Sequence, residues 1–68
     1  MKISETNKEL FKKVFGRKIE ELDILFIKET EPENNETIGQ AIKKTGEENQ
    51  DFSYLIKLLL DVHRQAKY

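Results

Sequence analysis

The chain has 68 residues, of which 12 are basic and 13 acidic, for a net charge of −1. One small domain is expected at this length, burying only about 60% of the surface it would expose unfolded. With no cysteine and a single histidine, disulfides, iron–sulfur clusters, thiolate zinc sites and multi-histidine metal sites are excluded, and near-neutrality argues against a dedicated nucleic-acid binder, which gathers positive charge on one face.

A first helix is expected from Thr6. Thr6-Asn7-Lys8-Glu9 fits a capping box, in which the hydroxyl and the Glu side chain each satisfy an unpaired backbone N–H. Leu10, Phe11, Val14 and Phe15 then share an arc of about 140°. Gly16 is placed to end the helix, and Lys12 and Lys13 lie near its negative end, where cations are favoured.

The segment Arg17 to Glu31 reads as a second helix in preference to a short buried strand, which would lack a partner other than Met1 to Ser4. As a helix it carries Ile19, Leu22, Leu25 and Phe26 on one side and Ile24 and Ile27 on another, with Asp23 between them. A helix apolar on two sides belongs at the centre of a bundle or at an interface. Pro32 ends it, because the residue before a proline is pushed out of helical geometry. Glu31 to Glu36 forms the main loop.

A third helix is expected from Asn35 or Glu36 to Thr45, with Ile38, Ala41 and Ile42 at i, i+3, i+4 and Gly46 as its stop. The last helix starts near Asn49 or Asp51. Phe52, Leu55, Ile56, Leu59, Leu60, Val62, His63 and Ala66 fall in an arc of about 160°. Leu58 widens the arc to about 200°, more than the stripe of a little over 100° that a helix on one side of a core requires. The fold expected is all-α: a compact bundle of three or four helices with the C-terminal helix central.

Candidate sites compete with plainer structural roles. His63 lies inside the apolar arc and lacks any spaced nucleophile or carboxylate that would make it a general base, so it reads as a packed side chain. Glu29, Glu31, Glu33 and Glu36 resemble calcium ligands in type only; the EF-hand pattern needs a central glycine and a closing glutamate, and here there is a proline. The basic pairs Lys12-Lys13, Arg17-Lys18 and Lys43-Lys44 sit among acidic residues and read as solvated surface. The phenylalanines have core spacing. Tyr54 and Tyr68 fall off the arc and suit half-wet contacts.

Thr37 to Gly46 followed by a helix has the outline of a helix-turn-helix, but a connection from Thr45 to Gln50 exceeds the usual three or four residues. No signal core opens the chain and no apolar run approaches the eighteen or so residues that span a bilayer, so a cytoplasmic protein with no membrane partner is expected. Neither an enzyme nor a cofactor is expected, since a single histidine and no glycine-rich loop leave the usual catalytic parts missing.

The composition, rich in Lys, Glu, Ile and Asn, suggests an AT-rich genome. The expected function is a non-enzymatic protein–protein interaction module, a small regulator or inhibitor of bacterial, phage or mobile-element type. Its partner is another protein or a second copy in a homodimer. Ile24, Ile27, Leu58, Leu60 and Val62 lie at the edges of their arcs and are the candidate interface. The alternative is a small DNA-binding regulator using its C-terminal half, with Lys43, Lys44, Lys57 and Arg64 as the contacts to nucleic acid.

Overall fold

The computed structural model describes residues 2–66, with side chains through Arg64. The expectations for the Ala66 side chain and for Tyr68 lie outside the described residues. Within them the chain forms four helices and no strand: α1 (Glu5–Phe15), α2 (Glu21–Glu29), α3 (Asn35–Glu47) and α4 (Phe52–Ala66). The radius of gyration, 10.9 Å, matches the value of about 11 Å expected for a compact chain of this length.

Each helix boundary has a local cause. α1 begins two residues before the Thr6 position, on Ser4, whose Oγ accepts a 3.2 Å hydrogen bond from the Asn7 N–H. Ser4 is also fixed from outside the helix, since its own N–H is held at 2.9 Å by Asn35 Oδ1. Gly16 ends α1 as expected, left-handed at φ 69°, with its N–H donating to the Lys12 carbonyl at 2.8 Å. α3 is capped by the Asn34 side chain, which accepts from the Thr37 N–H at 2.8 Å.

α3 does not stop at Gly46 but runs to Glu47. The stop is Asn49, left-handed at φ 57°. Its N–H donates to the Gly46 carbonyl and the Gln50 N–H to the Thr45 carbonyl, the paired bonds that close a Schellman turn. Asparagine tolerates this conformation better than most residues. Gly46 lies inside the helix, where a Cβ would stand 3.1 Å from Val14 Cγ2; its small size serves the packing of α3 on α1.

α1 packs along α3, α3 along α4, and α2 against α4. The core is Ile3, Phe11, Ile19, Ile27, Ile38, Ala41, Ile42, Leu55 and Leu59. Phe52 opens α4 at the meeting point of three helices, with ring centroids 6.1 Å from Phe11, 6.3 Å from Phe15 and 6.3 Å from Phe26. α4 therefore touches all the other helices, as a central C-terminal helix should, and it shares the interior with α3.

A polar clamp ties the N-termini of α1 and α3. Asn7, nearly buried, donates through Nδ2 to the Asn35 carbonyl at 2.8 Å and to Asn35 Oδ1 at 3.2 Å. Asn35 Nδ2 in turn donates to the Lys2 carbonyl at 3.0 Å. Gly39 makes room: a Cβ there would come within 2.8 Å of Asn7 Oδ1. The remaining buried hydroxyls are satisfied locally, Thr45 to the Ala41 carbonyl at 2.8 Å and Thr30 to the Ile27 carbonyl at 2.6 Å.

Candidate functional site

The rotation of α2 about its own axis decides what the molecule shows to solvent. Asp23, in the first turn, accepts from the Glu20 N–H at 2.8 Å and caps the helix. It is also gripped in a fork by Arg17, Nη1 to Oδ2 at 2.7 Å and Nη2 to Oδ1 at 3.0 Å. The same guanidinium lies 5.1 Å from the centre of the Phe11 ring, stacked as cations prefer over an aromatic face. The hydrogen bonds from Arg17 hold the Asp23 carboxyl below the ordinary carboxylate range, outweighing the upward push of burial, and those with Asp23 raise Arg17.

Asp23 is thereby drawn inward, and whatever lies four residues along follows it. Ile27 is fully buried, Ile24 is partly buried against the core, and the opposite side of α2 faces water: Leu22 is 63% exposed, Leu25 57% and Phe26 50%. This reverses the side expected to face the core. The expected helical phase sets Ile19 on one side with Leu22, Leu25 and Phe26. Ile19 is buried, but it precedes the cap Glu20 and lies in the extended link, so its position says nothing about how α2 is turned.

The five edge residues consequently separate. Ile27 is a core residue and is withdrawn from the candidate interface. Ile24 and Leu58 are partly buried and packed against the core. Leu60 and Val62 remain exposed at 39% and 43%, but on opposite flanks of α4, about 160° apart. Leu22, Leu25 and Phe26 take the place of the residues lost. The sequence carried little sign of them, because Glu20 is not among the Ser, Thr, Asp and Asn residues that mark a helix start, and only the structure shows its reciprocal cap with Asp23.

The exposed face continues from α2 onto α4. Phe26, Phe52, Ser53 and Ile56 line a shallow groove between the two helices, and Leu60 follows Ile56 one turn on. A second hollow, lined by Glu20, Glu21, Leu22 and Leu25, lies at the far margin of α2. His63 is elsewhere. It lines a pocket with Pro32, Thr37, Leu59 and Val62, its Nε2 4.0 Å from Glu31 Oε1.

Lys43, Lys44, Lys57 and Arg64 are all exposed but are not gathered. Lys43 shares an open hollow with Lys12 and Lys13 of α1, whereas Lys57 and Arg64 lie seven residues apart along one side of α4. The connection between α3 and α4 is Glu48 to Asp51, shorter than the Thr45 to Gln50 expectation because α3 runs on through Gly46. Among the described residues no helix is long and apolar enough to cross a membrane. Comparison with known proteins finds no matching family model, no matching curated protein and no matching solved structure.

Proposed function

We propose that the chain is a non-enzymatic protein-interaction module that docks through the outward face of α2 and the adjoining margin of α4. The observation that carries this reading is that α2 is apolar on two opposite sides. One side, Ile24 and Ile27, is used by the core. The other, Leu22, Leu25 and Phe26, is left at half exposure or more. Covering such side chains is worth on the order of 1 kcal/mol or more each, and grouped exposed apolar residues mark interaction surfaces far more than scattered ones do. A small regulator or inhibitor is the kind of protein this suits, since an exposed helical face is the working part such a protein needs.

The test is a pull-down from the native host with the full chain as bait, comparing the parent with L22S/L25S/F26S. All three positions are exposed, so the variant should keep its helical circular dichroism. Proteins held by the parent and lost by the variant, including untagged copies of the chain itself, support the reading. Equal capture by both removes it.

A second reading, binding of duplex DNA through α3 and α4, is favoured by the four-residue connection Glu48 to Asp51 and by the exposure of Lys43, Lys44, Lys57 and Arg64. Fluorescence polarisation of a labelled duplex at low salt, where phosphate contacts are strongest, decides it; no binding there rules it out.

A further inference from the structure

We draw no further inference here: the strongest candidate, the outward face of α2 on which Leu22, Leu25 and Phe26 stand exposed, carries nothing beyond the docking reading above, since nothing in the structure shows what covers it.

Discussion

Asp23 does two jobs with one carboxylate, and its removal should expose both. Asp23→Ala frees the Glu20 N–H and releases Arg17 from its 2.7 and 3.0 Å bonds. Loss of such a cap costs about 1–2 kcal/mol, read as a lower urea midpoint near pH 7. The acid limb carries a signature of the same residue. Because the folded chain holds this carboxyl below its ordinary value of about 3.9, its contribution is complete above that pH. It is lost as the pH falls through the lower folded value, since the unfolded chain takes up the proton first. Asp23→Asn should therefore differ most from the parent near neutrality and converge with it as the pH falls through the lowered folded value. A gap that stays constant through acid would mean the carboxylate contributes nothing by its charge.

Gly39 answers to Asn7 in the same way. Gly39→Ala gains about 1 kcal/mol of helix propensity, yet its new methyl would meet Asn7 Oδ1 at 2.8 Å. The amide cannot swing aside freely, because Nδ2 is bonded twice to Asn35. Overpacking of this kind costs about 1–3 kcal/mol, so a net loss of about 1 kcal/mol is expected in thermal or chemical unfolding. In an Asn7→Ala background the sign should reverse, which a double-mutant cycle measures directly.

At the scale of the element, the turn of α2 is the most consequential result and the easiest to check. Ile27→Ala should cost about 2–5 kcal/mol as a buried large-to-small change. Leu25→Ala, two residues earlier, should alter the stability of the dilute protein by less than about 0.5 kcal/mol. Equal effects would mean the helix is turned otherwise. Much of the fold was legible in the sequence: four apolar stripes, the Gly16 stop, the Pro32 loop and the core trio Ile38, Ala41 and Ile42 all follow from local pattern. What was not legible depended on distant contacts. Ser4, not Thr6, caps α1 and is held by Asn35, Gly46 lies inside α3 against Val14, and α2 turns Asp23 inward to Arg17. The candidate face failed at the same point: an apolar residue beyond the helix cap was counted as if it shared the helix's phase.

For the whole molecule, the dependence of stability on concentration is a test of self-association. If folded copies pair and unfolded chains do not, the thermal midpoint rises as the protein is concentrated, by mass action. The midpoint of L22S/L25S/F26S should not move over the same range, as differential scanning calorimetry at stepped concentrations would record. A midpoint independent of concentration in the parent would tell against a dimer over that range.

The clamp between Asn7 and Asn35 joins residues 28 positions apart and lets α1 lie directly on α3. The chain from Gly16 to Asn34 is then an excursion that leaves this pair and comes back to it. α1, α3 and α4 form a frame, and α2 leans on that frame through α4, the Phe26–Phe52 contact and the Arg17 fork. Sub-global opening should begin there, with amide hydrogens of α2 exchanging with solvent well before those of α3. The segment expected to open first is also the one that carries the exposed Leu22, Leu25 and Phe26, so a partner bound there would slow exchange in α2 more than anywhere else in the chain.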